Sequence, residues 1–255
     1  MPLRRPFQVM FILGQMLTLA ACNLPGASAP AVASPAGTEP VPELVGQCVN
    51  PLQPVMVGAQ WTYSLSGIST GSFTRSITAL RSDGFTEQDQ FDGGLTRIGE
   101  WKCENGTLTA LSPAESLSAM IQTEGMQAEF RTTSSSGVTL PAIVRPGDSW
   151  SQTFKIEGTQ SVAGQDVQGK GDIAYSCTAA DIETVVVPAG SFDAMRVGCQ
   201  INGTITVTLA GLEVPTQLAS VATIWYARDV GMVKTENEIG GVGHSSVELT
   251  AYTIQ

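Results

Sequence analysis

The sequence has little charge, few basic side chains and almost no histidine. Charged residues make up 14% of the 255 residues, lysine and arginine together number 13, and His244 is the single histidine. Nucleic acids and anionic lipid headgroups bind to clusters of basic side chains, so a chain with a formal net charge of −10 is poorly suited to either. We therefore expect no nucleic-acid partner.

Recognisable catalytic and cofactor motifs are also missing. The sequence contains no G-x-S-x-G elbow, phosphate-binding loop, dinucleotide fingerprint, EF-hand or zinc-type cysteine spacing, so it predicts no cofactor and no metal. His244 is interpreted as an ordinary strand residue. Glycoside hydrolysis needs two carboxylates at a fixed separation, for which the candidates are Glu100, Asp148, Asp172 and Glu183. They support a surface hydrolase only as an alternative.

No apolar run is long enough for a permanent membrane span, but a short one stands near the start. Arg4 and Arg5 precede an apolar stretch over 11–20, as in a cleaved secretory signal. The segment Leu19-Ala20-Ala21-Cys22 resembles the lipobox of bacterial lipoproteins. The resemblance implies lipid attachment to the Cys22 sulfur and cleavage between Ala21 and Cys22. Losing the two arginines with residues 1–21 would move the net charge from −10 to −12.

Residues 22–45 are predicted to form a lipidated tether. Five prolines punctuate small residues there, and such a composition favours an extended, solvated chain. Several acyl chains hold a protein firmly on a bilayer, so we expect a membrane-anchored protein of the cell envelope, facing the periplasm or the exterior. Residues 46–255 are then the folded domain.

Four further cysteines predict two disulfides. An exported chain keeps cysteine pairs oxidised, and four thiols allow three connectivities. A turn at 188–191 lies midway between Cys177 and Cys199, so antiparallel pairing with a small bulge favours a disulfide between them. Cys48 and Cys103 pair by elimination.

The folded domain is rich in Gly, Ser and Thr and alternates polar with apolar residues, which predicts β-strands. Asn105-Gly106 and Asn202-Gly203 are both predicted to be tight turns. We expect a mainly β fold, a single antiparallel, curved sheet forming a half-barrel or open barrel. The predicted strands cover 55–65, 73–80, 84–91, 95–103, 107–111, 126–132, 150–157, 162–177, 181–187, 192–201, 218–227, 231–237 and 243–253.

One short helix is predicted over 112–124. Ser112 can cap it, Pro113 suits the first helical position, and Glu115 completes a capping box. A weak repeat pairs Gly58 and Trp61 with Gly147 and Trp150, which predicts two similar halves of the sheet.

Four motifs in order resemble the TapB-like group of bacterial envelope lipoproteins. They are P-V-M-V-G-A-Q-W-T-Y over 54–63, P-G-D-S-W over 146–150, V-P-A-G-S-F over 187–192 and W-Y-A-R-D-V-G-M-V-K over 225–234. The resemblance implies an antiparallel β protein, in some members shaped like the half-barrels of LolA- and LolB-type carriers. It implies no catalytic residues.

These observations favour a non-enzymatic envelope lipoprotein. Its curved sheet would bind an apolar ligand or an envelope partner protein. A surface hydrolase is the alternative if two acids about 5–10 Å apart occupy a cleft and one has a raised pKa. A purely structural envelope component is a further alternative, expected to have neither a cavity nor a cleft.

Overall fold

The structure, a computed structural model, describes residues 47–116, 118, 127–162, 165–209, 211–240 and 243–254. The predicted signal over 1–21, the tether over 22–45 and the lipid-attachment residue Cys22 lie outside this part of the chain. No helix among the described residues has the length and hydropathy needed to cross a membrane.

Twelve strands form one antiparallel sheet. They are β1 (Gln60–Gly67), β2 (Gly71–Arg81), β3 (Gly84–Phe91), β4 (Thr96–Glu104), β5 (Thr107–Ala110), β6 (Ala128–Gly137), β7 (Ser149–Val162), β8 (Gln165–Val187), β9 (Gly190–Leu209), β10 (Leu212–Ala227), β11 (Gly231–Ile239) and β12 (Gly243–Thr253). Their spatial order is β5-β4-β3-β2-β1-β12-β11-β10-β9-β8-β7-β6. Strands that are neighbours in sequence thus pair with each other, except β5 and β6, and β1 pairs with β12 to join the two meanders β1–β5 and β6–β12.

The sheet curves into a nearly closed barrel with one seam, which confirms the predicted fold class. The seam lies between the edge strands β5 and β6. Near it, Leu108 and Leu140 form an isolated bridge, and the Ala110 amide donates to the Thr139 hydroxyl at 2.8 Å.

The barrel has two distinct ends because its strands alternate in direction. The upper end carries the β1–β2, β3–β4, β7–β8, β9–β10 and β11–β12 turns, and the lower end carries the β2–β3, β4–β5, β8–β9 and β10–β11 turns.

The segment over 47–59 crosses the lower end. The buried amide of Asn50 donates to the carbonyls of Gly106 and Pro141 at 2.8 and 2.9 Å. The carbonyl of Pro51 accepts from the Asp229 amide at 2.8 Å. A disulfide joins Cys48 to Cys103 in β4. The segment therefore connects the β4–β5 and β10–β11 turns at the lower end.

Most of the core lies against this lower segment. Its largest fully buried side chains include Trp61, Tyr63, Ile77, Phe85, Leu108, Val233 and Leu249. The Trp61 indole donates to the Val230 carbonyl at 2.6 Å, and the Trp150 indole donates to the Thr139 carbonyl at 2.9 Å. Each of the two repeat tryptophans thus lies near the start of a strand, β1 or β7, and its indole donates to a backbone carbonyl of another segment.

The second disulfide follows the predicted hairpin. Cys177 and Cys199 lie directly opposite each other on β8 and β9, with Cα atoms 4.1 Å apart, and are bonded. The β8–β9 pairing contains a bulge between Ala179 and Ile182, as the cysteine spacing requires. Asn105 and Gly106 have φ values of 50° and 81°, which confirms the predicted turn between β4 and β5.

Two strand predictions were wrong. The segment over 181–187 is not a separate strand but the continuation of β8 beyond the bulge. Asn202-Gly203 is not a turn, because it lies inside β9 and pairs with β8 on one side and β10 on the other. A methyl group at Gly203 would lie 2.6 Å from the Asp172 carbonyl oxygen. This glycine permits a close strand approach rather than a reversal.

The predicted helix is present at 113–116 and 118, and the rest of 112–124 after Ser118 lies outside the described residues. Its predicted capping box was wrong. The Ser112 hydroxyl accepts from the Glu100 amide at 2.8 Å, and the Glu115 carboxylate accepts from the amide and hydroxyl of Thr132 at 3.2 and 2.9 Å. Both side chains bind strands instead of the helix start, since tertiary partners on β4 and β6 compete for them.

Candidate functional site

A cavity of about 380 Å³ occupies the inside of the barrel. Side chains from both meanders line it, because inward positions recur at every second residue of each strand. On β10, for example, Ala222, Ile224 and Tyr226 alternate with outward residues such as Val221, which is 54% exposed. The larger apolar lining residues are Leu65, Phe73, Phe91, Trp101, Val138, Trp150, Val197, Ile224 and Val247.

Several polar side chains of the lining lie toward the upper end. Ser69 follows β1, Asn237 lies near the end of β11, and Ser245 and Ser246 lie near the start of β12. The segment over 47–59 closes the opposite end.

A buried ion cluster forms one part of the wall. Asp89 on β3 lies directly between Arg75 on β2 and Arg97 on β4. Its carboxylate accepts two hydrogen bonds from Arg75, at 2.8 and 2.9 Å, and another from Arg97. Glu87, two residues earlier on the same inward face, accepts from Arg97 at 3.0 Å. Two cations and two anions thus balance each other.

The cluster keeps Arg75 and Asp89 ionised. Burial alone would raise the pKa of Asp89, but Arg75 and Arg97 outweigh burial and lower that pKa below its ordinary value of 3.8. Burial likewise opposes the charge on Arg75, yet Asp89 and Glu87 raise its pKa well above the ordinary value. At neutral pH Asp89 therefore holds no proton to donate.

Two tyrosines of the wall have free hydroxyl groups. Tyr175 on β8 stacks on Phe154 with ring centroids 5.6 Å apart, and Tyr226 lies on β10. Burial raises the pKa of each phenol to about 12, so both remain protonated. Within the described residues, neither hydroxyl has a hydrogen-bond partner.

The short helix bridges the strands beside the seam. The Ser116 hydroxyl accepts from Arg97 of the ion cluster at 2.6 Å. On the other side, the Ser118 hydroxyl accepts from the Phe130 amide of β6 at 2.7 Å. Together with the Glu115–Thr132 contacts, these hydrogen bonds connect β4 to β6 through the helix, because the two strands do not pair with each other.

The carboxylates named from sequence do not converge. Glu100 pairs with Arg81 at 2.8 Å, Asp172 with Lys155 at 3.2 Å, and Asp148 accepts from the Arg145 amide within a turn. Glu183 accepts from the Trp225 indole at 2.6 Å. His244 is half exposed, 3.9 Å from Glu238. None of these residues is among the described lining of the cavity.

Sequence reasoning missed the cluster of Arg75, Glu87, Asp89 and Arg97. A signal was present, because β3 reads Phe85, Glu87, Asp89 and Phe91 at alternate positions and so places two acids on an inward apolar face. Finding their partners required the register that sets Arg75 and Arg97 opposite Asp89. Of the predicted site residues, Cys177 and Cys199 do line the cavity.

Comparison with solved structures defines the class of fold. A protein from Bacteroides fragilis, described as exported and as having a YmcC-like fold, superposes with a TM-score of 0.53 and 15% identity over 79% of this chain and 98% of its own. A protein from Parabacteroides distasonis, described as a lipoprotein, superposes with a TM-score of 0.53 and 16% identity over 81% of this chain and 99% of its own. The chain therefore has the YmcC-like fold.

Escherichia coli YmcC itself, a hypothetical lipoprotein, gives a TM-score of 0.37 and 10% identity over 78% of this chain and 87% of its own, too low to add to the argument. No protein-family model matches the chain, and no curated protein is significantly similar to it in sequence. The resemblance to the TapB-like group therefore stays a prediction.

Proposed function

We propose that this protein is a non-enzymatic, lipid-anchored lipoprotein of the cell envelope that binds an apolar ligand inside its barrel. The observation that carries the proposal is the cavity of about 380 Å³. Binding pockets for small molecules measure about 300–1,000 Å³ and are lined mainly by apolar side chains with a few polar groups. This cavity has both properties, since many of its lining residues are aromatic or aliphatic, and the ion cluster and a few other polar side chains complete the wall.

The envelope location rests on the sequence and is supported by the comparisons. The signal over 1–21 and the lipobox ending at Cys22 favour export and acylation. The two similar structures come from proteins described as exported and as a lipoprotein. A membrane reached through the Cys22 lipid is the first expected partner, and the ligand or an envelope protein is the second.

The chemistry of the cavity favours binding over catalysis. A hydrolase of the carboxylate type needs one acid whose pKa is raised so that it keeps a proton. The cavity acid Asp89 has the opposite shift, and its carboxylate is occupied by two arginines. The surface acids each have their own local partner. The hydrolase alternative therefore gains no support from a specific site.

A matched pair of substitutions on β10 tests ligand binding. Ala222 is 4% exposed and lines the cavity, while its neighbour Val221 is 54% exposed on the outside. The full-length native protein and its Ala222→Phe and Val221→Phe variants would be extracted in detergent. Native mass spectrometry would then measure their co-purified lipids. Because a phenyl ring fills the cavity only at 222, we expect lipid adducts to be lost in Ala222→Phe and kept in Val221→Phe.

Thermal unfolding of each variant checks that it is folded. Equal lipid content in both variants would mean that lipid sits outside the barrel and would contradict the proposal. Native protein without any adduct, also after incubation with envelope lipid extract, would favour the purely structural role instead.

A further inference from the structure

The β9–β10 hairpin extends beyond the neighbouring strand β11 at the upper end of the barrel. β11 pairs with β10 only from Ser220 onward, so residues 212–219 of β10 lie past the paired part of β11. These residues still pair with β9 on their other side. At about 3.3 Å per residue, this part of the hairpin projects roughly 25 Å.

The two faces of the projecting hairpin differ in polarity. Side chains alternate between the faces, so the inner face continues from Cys199 and Ala222, which line the cavity. Beyond these two residues most inner positions are aliphatic, whereas most outer positions are polar, such as Thr204, Thr206 and Glu213. The aliphatic inner residues are here named the apolar track: Ile205, Val207 and Leu209 on β9 with Leu212, Val214 and Leu218 on β10.

The apolar track is continuous with the cavity. Ile201 packs against the cluster that contains the cavity residues Val197 and Cys199. It also packs against a second cluster, formed by buried side chains of β6, β7 and β8, which Ile205 and Leu218 of the track contact as well. The apolar inner face therefore runs without interruption from the cavity wall into the projecting hairpin.

The far end of the track is exposed. Leu209, Val214 and Leu212 are 39%, 45% and 71% exposed, and all three lie on the same face of the hairpin. Neighbouring exposed aliphatic side chains mark a surface that contacts another apolar group. The inner positions of β9 and β10 around them carry no charge, and Glu213 on the outer face pairs with Lys170 at 2.9 Å. This surface suits an aliphatic chain.

We propose that the apolar track is the path along which the aliphatic chain of the ligand passes between the outside of the protein and the cavity. This inference rests on the proposed function and adds a route to it. A chain that crosses water exposes every methylene group, which is costly, whereas a chain that moves over Leu212, Val214 and Leu218 keeps one side covered. The track therefore speeds exchange and leaves the equilibrium occupancy of the cavity unchanged.

Tryptophan quenching measures the arrival of a ligand in the cavity. Trp101 and Trp150 line the cavity, and an alkyl bromide quenches indole fluorescence on contact. Full-length native protein, reconstituted in phosphatidylcholine vesicles, would be mixed with a second set of vesicles that carry 1-bromohexadecane. Stopped-flow fluorescence would give both the rate and the final extent of quenching. Ala222→Phe, which fills the cavity, should remove the signal and so verifies that quenching reports the cavity.

Two valines of β10 provide a matched pair of variants. Val214 is 45% exposed on the inner face, and Val221 is 54% exposed on the outer face. We expect Val214→Asp to slow quenching about tenfold, the effect of roughly two methylene groups losing apolar contact, with an unchanged final extent. Val221→Asp should behave like the native protein. Leu212→Asp, at the most exposed position of the track, should slow quenching as Val214→Asp does, and thermal unfolding checks that each variant is folded.

A second donor distinguishes a path for the ligand from a docking site for the bilayer. The same probe would be supplied as a methyl-β-cyclodextrin complex, which contains no bilayer. We expect Val214→Asp to slow quenching from this donor too. If the slowing occurred with vesicles only, the hairpin would dock on the bilayer without guiding the chain, and the proposed path would be wrong.

The remaining outcomes separate this inference from the function on which it rests. Equal rates in Val214→Asp and Val221→Asp would overturn the path and leave ligand binding intact. A smaller final extent of quenching in Val214→Asp would also overturn it, because the track would then belong to the resting binding site. If neither donor quenched the native protein, both the proposed function and the path would be refuted.

Discussion

Arg75 and Asp89 face each other across β2 and β3 on the inner side of the barrel, joined by two hydrogen bonds of 2.8 and 2.9 Å. Their side chains are 16% and 3% exposed, and Arg97 on β4 holds the same carboxylate from the other side. Buried ion pairs gain little over an apolar core, but removing one partner leaves an uncompensated charge. We therefore expect the free energy of unfolding to depend on the charge of Asp89.

Replacing Asp89 should be strongly destabilising. Asp89→Asn leaves two buried guanidinium groups with one anion, Glu87, and we expect a loss of about 3–5 kcal/mol in the free energy of unfolding, measured by urea titration. Asp172→Asn is the control, because Asp172 pairs with Lys155 on an exposed surface. The control should change stability by about 0.5 kcal/mol or less. Similar effects at the two positions would contradict the role assigned to the cluster.

The same carboxylate should make stability depend on acid. Because folding lowers the pKa of Asp89, its contribution is fully present above the ordinary value of 3.8. The contribution is lost as the pH falls through the lowered value. Urea midpoints of the native protein and of Asp89→Asn, measured from neutral pH downward, should therefore converge in acid. A gap that stays constant over this range would show that folding does not lower the pKa of Asp89.

Two glycines of β9 should respond oppositely to alanine. A methyl group at Gly203 meets the Asp172 carbonyl oxygen at 2.6 Å, whereas at Gly198 nothing lies within 4 Å. We expect Gly203→Ala to cost about 1–3 kcal/mol through strain between strands. Gly198→Ala should be neutral or stabilise by up to about 1 kcal/mol, because it restricts the unfolded chain. Urea titration of both variants measures this difference, and equal effects would mean that the strands at Gly203 are further apart.

The two disulfides should stabilise the fold to different extents. The sequence separation is 22 for Cys177–Cys199 and 55 for Cys48–Cys103. Because each bond restricts the unfolded chain, these separations correspond to a stabilisation of about 3 and about 4 kcal/mol, respectively. Double alanine replacement of each pair, followed by urea titration, should reproduce this order. The control is the native protein under reducing conditions, which should lose more than either variant. An unchanged midpoint for either pair would contradict the assigned bond.

Lipid attachment is predicted at Cys22 alone. Metabolic labelling with an alkyne fatty acid should mark the native protein and the Cys177→Ala variant equally, because Cys177 is in a disulfide. Cys22→Ser removes the acceptor sulfur, so the label should be lost and the signal over 1–21 should remain uncleaved. Continued labelling of Cys22→Ser would place the lipid elsewhere or refute acylation at the lipobox.

Local pattern was enough to predict much of the sheet. Strand alternation placed β3 and β12 with their observed bounds, and Asn105-Gly106 formed the expected turn because its positive φ values are needed between paired strands. The same dipeptide pattern failed at Asn202-Gly203. There, pairing on both sides outweighed the turn preference, and only the neighbouring strands β8 and β10 could reveal that.

The candidate site was largely hidden from sequence reasoning. Glu100, Asp148, Asp172 and Glu183 are the carboxylates at predicted strand ends, but their positions along the chain do not indicate which acids lie close together in the fold. The ion pairs of Asp89 cannot be predicted from the local sequence, because its arginine partners lie 14 residues before it and 8 residues after it, on other strands.

The sequence by itself determined the β class, the cysteine pairing and the export and acylation prediction, because each depends on composition or on spacing along the chain. Cys177 and Cys199, for instance, need only a hairpin with one bulge to lie opposite each other. Only the tertiary structure decided that the sheet curves far enough to enclose a cavity, with Arg75, Asp89 and Arg97 in its wall and two tyrosine hydroxyls unpaired inside it. Curvature and register are properties of all twelve strands together, so no local segment encodes them.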